Sequence, residues 1–173
     1  MAKRLTFLLL VITSILSCNN SETSDRSSND KISLAINTLM DRWHKDAANA
    51  KLEDYLALMH KSSNYIGTDG NENWTKPKFR AFCEPYFAKK KTWDFKPLER
   101  NVYVNQSGNT VWFEEILETA LGPCRGSGVL EKYGNNWKLK QYVLSMTVPN
   151  EDSKKVLNAK SVNDSLFLAR FRK

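Results

Sequence analysis

Apolar positions recur at helical spacing in three early stretches of the chain. Ile32, Ala35, Ile36, Leu39, Trp43 and Ala47 repeat near every 3.6 residues and predict a first helix, with Asn29 or Asp30 as its cap. Leu52, Tyr55, Leu56 and Met59 predict a short second helix. Phe79, Phe82, Cys83, Tyr86 and Phe87 predict a third, capped by Thr75 and opened by Pro77. Pro85 lies inside that third pattern. It lacks an amide donor and crowds the preceding turn, so a kink or break is expected near Glu84. Between the second and third helices, residues 63–68 read as a short strand, with Gly67 and Asp69-Gly70 as a turn.

From residue 92 the period drops to two. Residues 92–105 predict one or two strands interrupted at Pro97, and Gln106-Ser-Gly-Asn109 a hairpin turn. Strands are then expected over 110–121, 125–133 and 137–148, with a turn at 134–136 and Pro149 as the stop. Strict alternation in the last strand puts Lys138 and Lys140 on one face and Trp137, Leu139, Gln141, Val143 and Ser145 on the other. Helices followed by an antiparallel meander make an α+β layout. Residues 150–173 mix Val162, Leu166, Phe167, Leu168 and Phe171 with basic side chains. They read either as an element docked on the body or as a free basic end.

The first thirty residues have a different character. Lys3 and Arg4 precede a twelve-residue, mostly apolar run over 5–16. A spanning helix needs about 20 apolar residues, so the run suits the core of a secretory signal. It ends in Ile15-Leu16-Ser17-Cys18, which resembles a bacterial lipobox. The resemblance implies cleavage after residue 17, lipid on Cys18, and a cell-envelope location anchored to a bacterial membrane. Residues 19–30 hold no large apolar side chain and read as a flexible tether. The expected organisation is therefore a signal over 1–17, a lipidated Cys and tether over 18–30, one domain over 31–149, and a basic extension over 150–173.

Removing the signal leaves 156 residues, enough for one domain with its own core. Of 26 Lys and Arg, 24 remain against 19 Asp and Glu. The excess gathers at Lys76, Lys78, Arg80, Lys89, Lys90, Lys91 and in the tail. In an exported chain this reads as solvated surface, with some attraction to anionic lipid headgroups, and no nucleic-acid partner is expected. Cys83 and Cys124 remain as an even pair, which leaves two readings: a disulfide or two buried thiols. His44 and His60 stand without a metal-ligand pattern, so no metal is expected. His44 is expected at solvent or packed on the first helix, and His60 at the end of the second helix. No glycine-rich phosphate loop is present, and no cofactor is expected.

Particular residues carry the reading further. Tyr65-Ile66-Gly67-Thr68-Asp69 followed by Glu72-x-Trp74 resembles the GTD…E-x-W segment of the SnoaL-like branch of the nuclear transport factor 2-like superfamily. The order continues through Trp93, Val111-Trp112-Phe113, Arg125-Gly-Ser-Gly-Val-Leu130, and Trp137-x-Leu139-x-Gln141-x-Val143-x-Ser145. The resemblance implies a cone: a curved sheet wrapped on a long helix, with an apolar pocket at one end and, in many members, dimerisation through the sheet. Members include isomerases, dehydratases, cyclases and pure assembly domains. Relatives carry two histidines facing the cavity in the last strand. Here Gln141 and Val143 stand at those positions, so that acid/base pair is missing.

Three function classes follow. The first is binding of a small apolar or carboxylate-bearing molecule. Its lining would draw on Tyr65, Trp74, Tyr86, Trp93, Trp112, Trp137 and Gln141, with Arg125 as the anion partner; a structural salt bridge is the alternative for Arg125. The second is a cofactor-free isomerase, dehydratase or hydrolase using Glu114 or Asp69. Glu114 shares a face with Trp112 and Ile116; if that face is concave, its carboxylate sits among aromatics and its pKa rises. If it is convex, Val111, Phe113 and Leu117 line the core instead. Asp69 is equally a turn-former, and Glu72 a helix cap or a base. The third class is an assembly module, with a second copy of the chain as partner.

Overall fold

The computed structural model describes residues 26–172. Helix α1 covers residues 26–48 and turns Ile36, Met40, Trp43, His44 and Ala47 inward. It is already helical at residue 26, so residues 26–30 belong to the helix rather than to the expected tether. Asn29 and Asp30 consequently lie within it and do not cap it. The helix ends with Ala50 at φ 55°, while the Lys51 amide donates to Asp46 O at 2.8 Å and the Ala50 amide to Ala47 O at 2.9 Å. These two bonds consume carbonyls that the last turn would otherwise leave open. Helix α2 spans Leu52–Ala57 and buries Tyr55 and Leu56.

Strand β1 (Met59–Ile66) follows α2 at once. His60 therefore stands on a strand, stacked 4.6 Å from the Tyr133 ring, and not at a helix end. After the turn over 67–72 comes β2 (Asn73–Thr75), then helix α3 (Lys76–Ala88), with Thr75 at its N-cap position and no side-chain cap bond. Helix α3 runs unbroken through Pro85, contrary to the expected break. Phe79, Cys83 and Phe87 are buried on one side, while Glu84, Pro85 and Tyr86 face solvent.

The meander consists of β3 (Lys96–Val104), β4 (Thr110–Thr119), β5 (Gly122–Tyr133) and β6 (Asn136–Met146). With β1 and β2 it forms one curved sheet in the order β2-β1-β6-β5-β4-β3. β1 lies parallel to β6 and every other pairing is antiparallel. Residues 92–95 are not strand, and Pro97 sits near the start of β3, an edge strand with a register shift between Pro97 and Glu99. An edge position tolerates the missing amide donor.

The inner face of the sheet packs on the helices. From β4 it presents Val111, Phe113, Glu115 and Leu117, so Trp112, Glu114 and Ile116 take the outer face. Strict alternation fails in β6. Leu139 pairs with Leu130 and Gln141 with Val129, which leaves Lys140 as one extra residue. This bulge reverses the faces beyond it. Leu139, Tyr142 and Leu144 are buried, and Gln141, Val143 and Ser145 point outward.

A short 3₁₀ turn (Asn150–Asp152) leads into helix α4 (Ser153–Ala169), so the tail is a helix and not a free end. No side chain of α4 is buried. It touches the body where Phe167 packs over Gly70 and where Arg170 donates to Asn71 Oδ1. Cys83 and Cys124 are both buried and free, so the disulfide reading is replaced by that of two thiols. Burial pushes the Cys83 thiol up to about 12, which makes it unreactive.

Candidate functional site

A cavity of about 570 Å3 opens at one end of the sheet. Its floor and walls come from several places in the chain. β1 supplies Tyr65, stacked on Phe79 with ring centroids 4.0 Å apart. β2 supplies Trp74, which stacks at 4.5 Å on Phe82 of α3. The segment before β3 supplies Trp93 and Phe95, their rings 6.5 Å apart. Leu144 of β6 and Leu121 of the β4–β5 turn complete the apolar wall. The volume falls in the ordinary range for small-molecule sites.

Polar groups gather around the same opening: Thr68, Glu72, Thr92, Asp94, Lys96, Glu118 and Thr119. Glu72 is half-buried. Its backbone carbonyl accepts from the Gly67 amide at 2.9 Å, and its Oε2 accepts from the Asp69 amide at 3.2 Å. A side chain at position 67 would run into the Glu72 carboxylate, so Gly67 is what lets this loop fold back on itself. Trp93 Nε1 is buried beside the Tyr55 hydroxyl without reaching hydrogen-bonding geometry.

The sequence-predicted residues divide. Tyr65, Trp74 and Trp93 line the cavity together. Tyr86 stands behind them, 5.2 Å from Phe82 and 43% exposed. Trp137 lies in a separate polar groove with Asp46, Asn136 and Lys138. Trp112, Glu114, Arg125 and Gln141 are on the outer face of the sheet and do not reach the cavity. The concave alternative for Glu114 is thus corrected: it accepts from Tyr103 Oη and Asn101 Nδ2, each at 3.1 Å, at the surface. Asp69 is the turn-former. Its Oδ1 accepts from Asn71 N at 2.8 Å and Nδ2 at 2.9 Å, and these bonds hold its pKa below the usual carboxylate value.

The most deeply buried carboxylate among the described residues is Glu115, one residue from the one singled out. Tyr142 Oη and His44 Nε2 meet its Oε1 at 2.8 and 2.9 Å. Arg100 Nε donates to Oε2 at 2.8 Å. Arg100 Nη2 is equally near but not oriented to bond. The Arg100 Nη1 group continues to Asp41 at 2.8 Å and to Asn37 O at 3.1 Å. Burial alone would raise the pKa of Glu115; the hydrogen bond and charge of His44, then Arg100 and Tyr142, outweigh it and hold it below its ordinary value. Gly126 leaves the room this cluster needs, because a Cβ there would run into Glu115 and the Tyr142 hydroxyl. None of His44, Arg100, Glu115 or Tyr142 lines the cavity. The spacing of His44 was a usable signal: it lies four residues after Met40 and eight after Ile36, on the buried stripe of α1.

Comparison with known proteins agrees with this fold. The SnoaL-like domain family matches residues 36–149. No curated protein matches the chain. Among solved structures, a proposed scytalone dehydratase from Novosphingobium aromaticivorans superposes with a TM-score of 0.61 at 13% identity, covering 70% of this chain and 88% of that one. A nuclear transport factor 2-like protein from Cytophaga hutchinsonii gives 0.56 at 18% identity, with 65% and 96% covered. A proposed calcium/calmodulin-dependent kinase II association domain from Xanthomonas campestris gives 0.52 at 17%, with 67% and 87% covered. Such identities speak to the fold alone, and the fold carries dehydratases and assembly domains alike. The chain belongs to the SnoaL-like domain family.

Proposed function

We propose that this protein is an exported lipoprotein whose cavity binds a small apolar molecule without transforming it. The observation that carries the reading is the set of five aromatic rings, Tyr65, Trp74, Phe82, Trp93 and Phe95, gathered around an open space of about 570 Å3. Their apolar area supplies the affinity, and the few polar groups at the opening supply orientation. The carboxylate-bearing class of ligand loses its support, because Arg125 lies on the outer face. Catalysis is less favoured for a related reason. Glu114 and Asp69 do not line the cavity, and the buried acid–base pair, His44 with Glu115, is sealed away from it. The export reading rests on the charged start, the apolar run and the Ile15-Leu16-Ser17-Cys18 motif, which lie outside the described residues.

Native mass spectrometry of the untreated Cys18→Ser protein tests the binding reading. A stoichiometric excess mass of a few hundred daltons is expected. An empty protein that also takes up no aromatic probe would overturn it. A second reading, self-association through the outer face of the sheet, is favoured by the exposure of Tyr103 and Trp112 there. The same spectrum would report it as a doubled mass.

A further inference from the structure

Charge at the cavity runs against charge in the rest of the molecule. The chain carries a net +7, yet Glu72, Asp94 and Glu118 meet one cation, Lys96, at the opening. Among the described residues none of these four is in an ion pair. Lys96, the cross-strand partner of Glu118, offsets one of the three carboxylates, and the remaining excess leaves a net negative field beside the aromatic rings, whose π-electrons favour positive charge as well. The same acids are not grouped for a metal ion: no cluster of three ligating side chains occurs among the described residues. A compact dication wants its oxygen ligands at about 2.0–2.6 Å, whereas a diffuse organic cation is satisfied by rings and by carboxylates at longer range.

We infer that the ligand of this cavity is an organic cation with an apolar body, an amine or quaternary ammonium held by the Trp74, Phe82, Trp93 and Phe95 rings, with Glu72, Asp94 and Glu118 countering its charge. The inference rests on the proposed binding function and narrows it to one class. The apolar body fills the aromatic wall, and the charged end stays at the opening, where Asp94 and Glu118 remain exposed to solvent. Water there limits the cost of bringing in a charge, because the ammonium keeps part of its hydration.

The test uses three benzyl probes of similar shape on the full-length purified chain: benzyltrimethylammonium, its uncharged carbon isostere 2,2-dimethyl-1-phenylpropane, and the anion phenylmethanesulfonate. Binding is read from the indole N–H resonances of Trp74 and Trp93. The cation is expected to bind at least about tenfold tighter than either of the others, a margin that shrinks as salt is raised. The paired substitutions Asp94→Asn and Glu118→Gln are expected to remove most of that margin. If the uncharged isostere binds as tightly as the cation, the charge inference falls while the cavity remains a binding site. If the margin survives in the paired variant and in high salt, the carboxylates are not its source and the inference falls as well. If none of the probes moves Trp74 or Trp93, the binding function itself fails.

Discussion

At the scale of single residues the molecule turns on Glu115. A buried ion pair is poor evidence of net stabilisation, because desolvating both charges offsets much of their attraction. Removing one partner is different, since it strands the other charge out of water. Glu115→Gln leaves Arg100, 5% exposed at its side chain, with only Asp41 as a counter-ion. A loss of about 3–5 kcal/mol is expected for breaking such a pair, read as a drop in denaturation midpoint at pH 7. The pH dependence has a definite sign. The folded pKa of Glu115 lies below its free value of 4.5. Its contribution is therefore complete above that value and is lost as the pH falls through the lower folded pKa. Melting curves between pH 7 and pH 3 should fall for the native protein and fall less steeply for Glu115→Gln. Equal slopes would show that the cluster does not govern acid stability.

At the scale of elements, what the sequence pattern reveals depends on whether one face of an element is distinctly apolar. α1 and α3 are legible because their buried stripes repeat without competition. The hairpins at 105–109 and 134–135 are legible because their turn residues allow little else. β4 is not: Trp112 and Ile116 alternate with Val111, Phe113 and Leu117, so hydrophobicity cannot fix its phase, and Glu114 is easily mistaken for Glu115. β6 defeats alternation through the extra Lys140, an error that propagates to Gln141 and Val143. Of the candidate site, Tyr65, Trp74 and Trp93 could be read from the family pattern. Asp94, Lys96 and Glu118 had no local signal, because only the closing of the sheet brings them to one opening. Pro85 misleads in the other direction. It sits on the exposed side of α3, so the ring meets water and the lost bond to the Ala81 carbonyl is replaced by solvent. Interior proline still costs up to about 3 kcal/mol against alanine. Pro85→Ala should therefore raise the melting temperature, by about 2–4 °C for each kcal/mol recovered in a chain of this size. A lower melting temperature would mean that the proline shapes α3 in a way the core requires.

At the scale of the whole molecule, the proposed anchor and the cavity constrain each other. Helix α1 is in place by residue 26, eight residues after Cys18. Eight residues span at most about 28 Å, so a lipidated Cys18 keeps the body within roughly one domain diameter of the membrane surface. The cavity would then sample molecules that partition into or leave that surface, and amphiphilic cations concentrate at anionic membranes. The net positive charge of the body favours the same surface, each basic side chain near it contributing about 1 kcal/mol. Two signals would thus hold the protein in place, a lipid and a basic surface, and they differ in their response to salt. Cys18→Ser should abolish incorporation of radiolabelled palmitate and convert a membrane-bound protein into one released by about 0.5 M salt, where the screening length falls to a few ångströms. The lipidated protein should stay bound under the same wash. A Cys18→Ser protein that still takes up palmitate, or that resists high salt as the native protein does, would show that the chain is held by something other than Cys18.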